Sequence, residues 1–314
     1  MKTAEFIKGK FLLVLLVAVV LILLPSLVSN YYVGLAIQIF IMAIFAMSLD
    51  LLVGHTGLPS LGHAAYFGVA AYGAGFLYLA GMKNFWLAVV FGMGLGGLTA
   101  ALFGLLALRA LGAYFMLITL ALSQVLWGIA FKWRSLTGGD DGLPGIGRPG
   151  IGMGIDLRSD LSFYYLTFAI LVLVFIALFI LVNSPLGYAL RGIRESESRM
   201  KALGYNVWLY KYLAFIFAGI FAGISGVLWV YYSGFVGPTN LGIDNSAKPL
   251  MMLILGGSGS LFGPAIGAGI IVLLENIVSG LTERWSFFLG IVYVVVVMFL
   301  SEGIFSILKG KRGH

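Results

Sequence analysis

Long apolar runs separated by polar connectors make up most of this chain. A membrane-spanning helix needs about 20 apolar residues, and eight runs approach that length. These candidate spans are 11–28, 32–53, 63–80, 85–107, 112–131, 162–183, 212–234 and 286–306. A further apolar segment, 249–280, is interrupted by glycines near its middle. The pattern predicts an all-α protein that crosses a membrane many times.

Composition supports a single transmembrane domain that covers residues 1–314. Hydrophobic residues make up 61% of the chain and charged residues only 10%, whereas a soluble domain carries about 25% charged residues. The net charge of +7 comes from basic residues spread over connectors and chain ends. This distribution indicates membrane topology and excludes a nucleic-acid groove. The chain has no cysteine, which excludes disulfides and thiolate metal sites.

The distribution of Lys and Arg predicts how the chain is oriented. The N-terminal run, the loop of about 184–211 and the C-terminal tail are the densest basic clusters, so we expect all three to be cytoplasmic. The connector of about 132–161 has balanced charge and is expected to be external. The first apolar run is longer than the core of a signal peptide, about 7–15 residues, and is expected to be retained. With the spans crossing the membrane in alternate directions from a cytoplasmic N-terminus, the C-terminus is cytoplasmic only under one condition. The segment 249–280 must return to the side of the membrane from which it enters, or cross the membrane twice.

Two glycine-rich breaks interrupt the apolar pattern, at 54–62 and at 256–264. They share the order L-x-x-G-x-x-G, Ser-Leu and a small-residue helix, which is the kind of internal repeat expected along a transport pathway. The alternative is that both are glycine-rich turns between helices. The candidate pathway residues are Asp50, Gly54, Gly57, Ser60, His63, Gly256, Gly257, Ser258 and Gly259.

Two carboxylates, Asp50 and Glu275, lie within apolar segments. A carboxylate at the centre of a membrane helix costs about 2.5–3.5 kcal/mol, so each should line a pathway, couple to protons or make a structural hydrogen bond. His55 and His63 have no metal-ligand spacing. The chain contains no nucleophile elbow, P-loop or H-E-x-x-H motif. We therefore predict no catalytic, metal or cofactor site.

The polar stretch from Ser184 to Lys211 is the most informative part of the chain. Pro185 can start a helix, and the spacing from Ala189 to Leu203 is helical, with charged residues at i, i+4 and i+8. Gly204 should end this helix. A short amphipathic helix on the cytoplasmic side either lies on the lipid surface or inserts into a groove of a soluble partner.

Four segments of the chain resemble, in order, one family of transport proteins. They are Leu49–Ala65, Leu136–Leu143, Ser184–Asn206 and Leu253–Pro264. Together they are similar to the M-type membrane permease subunit of the branched-chain amino acid ABC importer family. Tyr188 stands where a basic residue is expected in the third segment.

The resemblance implies a fold and a set of partners. The fold is that of a type II ABC-importer permease, with about 8–10 transmembrane segments, glycine-broken segments and inverted repeats, in the cell inner (plasma) membrane. The partners are a second, H-type permease subunit, two cytoplasmic ATPase subunits that hold ATP and magnesium, and a solute-binding protein outside the cell. The function implied is import of branched-chain amino acids without enzymatic activity in this chain.

The resemblance also implies roles for particular residues. Contacts with the ATPase are expected from Arg191, Ile193, Arg194, Glu195, Ala202, Leu203 and Gly204. The binding protein is expected to meet the loop formed by Thr137, Gly138, Gly139, Asp140, Asp141 and Gly142.

Two alternatives to this function remain at the level of sequence. Closely similar permeases serve other solutes, so urea, short amides or other amino acids are alternative substrates. A different class, an ion-coupled secondary transporter, would use Asp50 or Glu275 as its coupling site.

Overall fold

The computed structural model describes residues 19–110, 112–151 and 157–281, together with residues 284, 287, 290, 291, 294 and 298. Residues 19–27 are helical. The helices that follow them are numbered α1 to α11 in chain order. The helices are α1 (Asn30–Val53), α2 (His63–Leu79), α3 (Phe85–Ala107), α4 (Ala113–Lys132), α5 (Arg134–Thr137), α6 (Asp160–Val182), α7 (Pro185–Glu195), α8 (Glu197–Ala202), α9 (Val207–Ser233), α10 (Ile243–Gly256) and α11 (Phe262–Leu281). Short 3₁₀ turns cover Gly139–Asp141 and Pro238–Leu241, and two-residue strands β1 (Leu143–Pro144) and β2 (Phe235–Val236) form one antiparallel pair.

Six helices of the described residues, α1, α3, α4, α6, α9 and α11, are long and apolar enough to cross a membrane. They confirm the all-α polytopic fold. The predicted spans 32–53, 85–107, 112–131, 162–183 and 212–234 coincide with the first five of these helices, although α9 begins earlier, at Val207.

The other predicted segments compare with the structure in different ways. The predicted span 63–80 is α2, which has only 17 residues. Residues 11–18 of the predicted span 11–28, most of 286–306, and the basic N- and C-terminal clusters lie outside the described residues. The predictions for those two spans and for both termini therefore stay predictions.

The longest helix, α9, lies at the centre of the helical bundle. Its 27 residues extend for about 40 Å, and it packs most extensively against α3, α2 and α1. Gly219 and Gly223 lie against the backbone of Gly96 and Gly92 on α3, where an added Cβ would overlap a carbonyl oxygen. Such small residues allow two helices to approach closely without a hydrophobic driving force.

The ends of α9 define two faces of the molecule. Before its first residue lies the loop 184–206, and after its last residue β2 pairs with β1 of the 132–161 connector, with Leu143 opposite Val236. The loop and the connector therefore lie at opposite ends of the bundle, while their cytoplasmic and external placement stays a prediction.

The predicted break in 249–280 is a reversal of the chain. Helix α10 ends at Gly256 and α11 begins at Phe262. The two helices pack antiparallel, with the backbone of Gly256 against Gly263 and that of Met252 against Gly267. The segment therefore leaves at the end where it entered, as the topology count required.

Candidate functional site

The loop between α6 and α9 contains two helices where the sequence predicted one. Ser184 caps α7 and Pro185 occupies its first turn. The predicted helix from Ala189 to Leu203 is wrong in one respect, because Ser196 adopts an extended conformation with φ of −161° and caps a second helix, α8. Serine favours the N-cap because its hydroxyl accepts a hydrogen bond from the first helical turn. The i, i+4, i+8 series across this break is therefore not formed.

A small apolar cluster fixes the loop to the membrane domain. Ala189, Ile193, Met200 and Val207 are buried together. Arg191 donates from Nη2 to the carbonyl oxygen of Val182 at 3.0 Å, and its guanidinium lies 4.4 Å from the centre of the Tyr188 ring. Arg191 and Ile193, predicted to contact an ATPase, are thus engaged within this chain.

Glu197 joins α8 to the first turns of α9. Its carboxylate contacts Lys201 Nζ at 2.9 Å and Lys211 Nζ at 2.6 Å. Partial burial raises the pKa of Glu197, but the hydrogen bonds from Lys211 and Lys201 outweigh it and hold that pKa below its ordinary value. The three side chains therefore form a charged clamp that keeps α8 against α9.

Arg194 turns from the loop towards the first glycine break. Its Nη1 donates to the carbonyl oxygen of Gly54. A Cβ added to Gly57 would lie 3.1 Å from Cγ of the arginine, and one added to Gly259 would lie 3.2 Å from Nη1. The arginine side chain therefore lies against both glycine breaks, which belong to regions of the chain 200 residues apart.

Asp50 connects the two breaks directly. Its Oδ1 accepts a hydrogen bond of 2.8 Å from the backbone N–H of Gly259, and Oδ2 lies 3.5 Å from Nδ1 of His55. The carboxylate is fully buried, and of its two oxygens Oδ1 receives a hydrogen bond whereas Oδ2 has none among the described residues. We call the contact set of Asp50, Gly54, Gly57, Arg194 and Gly259 the glycine junction.

The end of the loop projects away from this junction. Glu195 and Ala202 are exposed, and Leu203 is 72% exposed. Gly204, with φ of +87°, reverses the chain in the left-handed region that favours glycine. An exposed leucine beside a rigid turn is the kind of apolar peg that a groove in a partner receives.

The other predicted pathway residues lie in or next to the two glycine breaks. The Ser60 hydroxyl accepts from the N–H of Gly62 at 3.2 Å, and Nε2 of His63 lies 2.8 Å from the Ser48 hydroxyl. Gly257 ends α10 with φ of +101°. Ser258 is exposed at the hairpin turn. The breaks thus meet at the end of the bundle that carries the 184–206 loop.

The opposite end of the bundle carries the predicted binding-protein loop. The Thr137 hydroxyl donates to the carbonyl oxygen of Ala130 at 2.6 Å and accepts from the N–H of Gly139. Gly138, Gly139 and Gly142 all have positive φ. Asp140 and Asp141 are exposed. The turn therefore presents two acidic side chains on a constrained backbone.

Sequence reasoning missed several polar residues on the membrane helices. Lys248 of α10 pairs with Glu275 of α11 at 3.0 Å, and Gln38 and Asn276 lie beside this pair. In the sequence, Lys248 is an isolated lysine near the start of an apolar segment, which indicates that it needs a charged or polar partner. That partner, Glu275, is identified only when the α10–α11 hairpin is known.

The relatives of this chain include three permeases named for branched-chain amino acid transport and, over 27% of this chain, the guanosine ABC transporter permease protein NupQ of Bacillus subtilis, which is 31% identical. The chain matches the family model of the branched-chain amino acid transport system permease component over residues 31–298. It is 28% identical to the high-affinity branched-chain amino acid transport system permease protein LivM of Salmonella typhimurium, over 97% of this chain and 77% of that protein. LivM of Escherichia coli is also 28% identical, with 98% and 78% covered.

A more distant relative is also named for branched-chain amino acid transport. The probable branched-chain amino acid transport permease protein LivM of Methanocaldococcus jannaschii is 25% identical over 84% of this chain and 86% of its own length. No solved structure matches the chain. The family match spans most of the chain, including both glycine breaks and the 184–206 loop, and the chain therefore belongs to the family of branched-chain amino acid transport system permease components.

Proposed function

We propose that this chain is the transmembrane subunit of an ATP-driven importer of branched-chain amino acids. It forms half of the translocation pathway with an H-type permease subunit, and a solute-binding protein delivers the substrate. Two cytoplasmic ATPases hydrolyse ATP, so this chain is not itself an enzyme. The protein lies in the inner (plasma) membrane with both termini in the cytoplasm.

The proposal rests mainly on the 184–206 loop, which is fixed to the membrane domain but leaves the apolar side chain of Leu203 exposed. Burial of Ile193 and the Glu197 clamp fix the loop to the membrane domain, while Leu203 is left uncovered. A secondary transporter has no use for such a surface, because its energy comes from an ion gradient inside the membrane. A docking surface for an ATPase requires both the rigid attachment and the exposed apolar tip.

The glycine junction supplies a route from the docked loop to the membrane helices. Movement of α7 displaces Arg194, whose guanidinium binds the backbone that follows α1. Asp50 transmits the displacement to the α10–α11 hairpin through Gly259. Glycine breaks can change shape where a regular helix cannot, so the junction converts motion of the loop into motion of two helix pairs.

The alternative substrates and mechanism are not favoured by the comparisons. Three of the relatives described above are named for branched-chain amino acid transport. The two carboxylates that an ion-coupled transporter would use have partners within this chain, since Asp50 accepts from the N–H of Gly259 and Glu275 pairs with Lys248.

Co-purification with the ATPase subunits tests the proposal. The variant Leu203→Ser removes the exposed peg, and Leu161→Ser makes the same change at an exposed leucine at the other end of α6. We expect Leu203→Ser to lose ATPase association and ATP-driven leucine uptake, and Leu161→Ser to keep both. The proposal fails if no ATPase associates with the wild type while this chain alone supports ion-gradient-driven uptake in proteoliposomes.

A further inference from the structure

A polar cavity lies between α1 and α11, away from the glycine junction. Its volume is about 180 Å³, and it is lined by Gln38, Val272, Glu275, Asn276 and Ser279. Since one water molecule occupies about 30 Å³ of the liquid, the cavity has room for several waters or for a small polar solute. Four of its five lining residues are polar, although both helices are candidate membrane spans.

One lining residue, Glu275, is paired with Lys248, which adjoins Glu275 and is not itself a lining residue. Lys248 Nζ lies 3.0 Å from Oε1 of Glu275 and donates a hydrogen bond of 3.2 Å to Oε2. The lysine side chain is 29% exposed and the glutamate side chain 13% exposed. Glu275 is about 20 Å along the axis of α11 from Phe262, well inside the span. Charged groups at such positions face water or a partner and not lipid.

Both members of the ion pair have unused hydrogen-bonding capacity. A lysine ammonium has three donors, and in the described part of the chain Lys248 uses one of them, towards Glu275. Oε1 of Glu275 is buried, and its one ion-pair partner among the described residues is the Lys248 ammonium 3.0 Å away, which leaves a lone pair of this oxygen unused. Gln38 also makes no side-chain hydrogen bond to any described residue, whereas Asn276 Oδ1 accepts one from the Tyr31 hydroxyl at 2.5 Å.

The arrangement offers one positive and one negative group side by side, each able to bind a further partner. The α-ammonium and α-carboxylate of an amino acid have the complementary charges and are separated by a single carbon atom. A neutral solute such as urea would need neither charge. Val272 gives the same cavity an apolar wall, which an aliphatic side chain can contact.

We propose that this cavity and the adjoining Lys248 together form a substrate site of the translocation pathway, in which Lys248 binds the α-carboxylate and Glu275 the α-ammonium of the transported amino acid. The inference rests on the proposed function and deepens it, because it names the residues that contact the substrate. Gln38, Asn276 and Ser279 supply hydrogen bonds around the charged ends. Ionic contacts with Lys248 and Glu275 thereby replace the water that solvates the two charges of the substrate.

Transport measurements separate substrate contact from a structural role. In the assembled importer, Lys248→Met and Glu275→Gln should each lower leucine uptake by about tenfold or more, the loss expected when a hydrogen bond to a charged group is removed. Binding-protein-stimulated ATP hydrolysis should persist in both variants, since the 184–206 loop is unchanged. The double variant Lys248→Met with Glu275→Gln decides between the roles. A structural ion pair tolerates simultaneous loss of both charges, so recovery of uptake in the double variant would overturn the inference.

Water access gives a second, independent measurement. The chain has no cysteine, so Gln38→Cys and Ser279→Cys each introduce the one thiol of this subunit. Ile277→Cys, on the same helix and with 59% of the isoleucine exposed, is the matched control for a side chain outside the cavity. We expect a charged, membrane-impermeant thiol reagent to label the two cavity variants faster than the control, and leucine delivered by the binding protein to slow their labelling.

The outcomes distinguish this inference from the proposed function. Equal labelling of cavity and control variants, or labelling blocked by assembly with the second permease subunit, would show a surface covered by protein and overturn the site. Labelling that leucine does not slow, in a complex that imports leucine, would also overturn the site but leave the importer intact. A wild-type complex that imports no leucine would overturn both.

Discussion

Arg194 and Glu195 are neighbours in α7, but the structure gives them opposite tasks. Arg194 is an exposed residue, but its guanidinium reaches back to the membrane domain and donates to the Gly54 carbonyl oxygen. Glu195 is exposed and makes no side-chain hydrogen bond or ion pair with the described residues. Replacing each by alanine should therefore produce two different defects.

The expected sizes follow from these contacts. A hydrogen bond from a charged donor contributes about 1.5–3 kcal/mol, and 1 kcal/mol corresponds to about 2–4 °C in the melting temperature of a domain of 150–250 residues. Arg194→Ala should lower the melting temperature of the detergent-purified subunit by about 3–6 °C, since the arginine is partly exposed and the chain is longer. Glu195→Ala should change stability by less than about 0.5 kcal/mol and instead weaken ATPase association.

The assay combines a thermal unfolding curve with ATPase co-purification for each variant. Arg199→Ala, which removes an exposed arginine of α8, controls for loss of positive charge. An unchanged melting temperature for Arg194→Ala, together with loss of the ATPase, would show that its guanidinium acts outward and would refute the inward connection. A destabilised Glu195→Ala variant would refute the assignment of that residue to the docking surface.

Three further predictions concern other parts of the molecule. The folded-state pKa of Glu197 lies below the ordinary value of 4.5. The stability that the ionised Glu197 contributes is therefore full above that value and is lost as the pH falls through the folded-state pKa. The difference in melting temperature between wild type and Glu197→Gln should accordingly shrink between about pH 6 and pH 3. Gly267→Ala places a Cβ against the Met252 carbonyl and should cost about 1–3 kcal/mol, whereas Gly94→Ala, which meets open space on α3, should raise or preserve the melting temperature. Thr137→Val removes the hydroxyl that holds the acidic turn and should reduce the stimulation of ATP hydrolysis by the binding protein, without loss of ATPase association.

The positions of the helices could be predicted because the signal is long and local. The predicted span 85–107 matches α3 at both ends, since Asn84 accepts from the N–H of Leu87 and begins the helix where the apolar run begins. The glycine breaks were also predicted, because a run of glycines does not continue a membrane helix. The helix boundary at Ser196 also has a local signal, since serine favours N-caps, but the i, i+4 charge spacing favours one continuous helix.

The contacts of the site depend on which segments meet in space. Arg194 and Gly54 are 140 residues apart in sequence, and Asp50 and Gly259 are 209 apart. The sequence pattern that the two breaks share indicates that they are similar, but it does not predict that they contact each other. The pairing of Lys248 with Glu275 likewise depends on the register of the hairpin, which the close approach of Gly256 to Gly263 fixes. Sequence patterns specify elements, whereas these long-range contacts follow from packing.

The length of α9 has a mechanical consequence for the whole subunit. The helix begins beside the docking loop and ends at the strand that pairs with the outer connector, so it acts as a lever through the bilayer. A tilt of about 5° around its middle would move each end by about 1.7 Å in opposite directions, for a rod of about 40 Å. That displacement exceeds what a backbone hydrogen bond tolerates. The β1–β2 pair can then persist only if the 132–161 connector moves with the helix, so a displacement of the 184–206 loop changes the shape of the opposite end of the bundle.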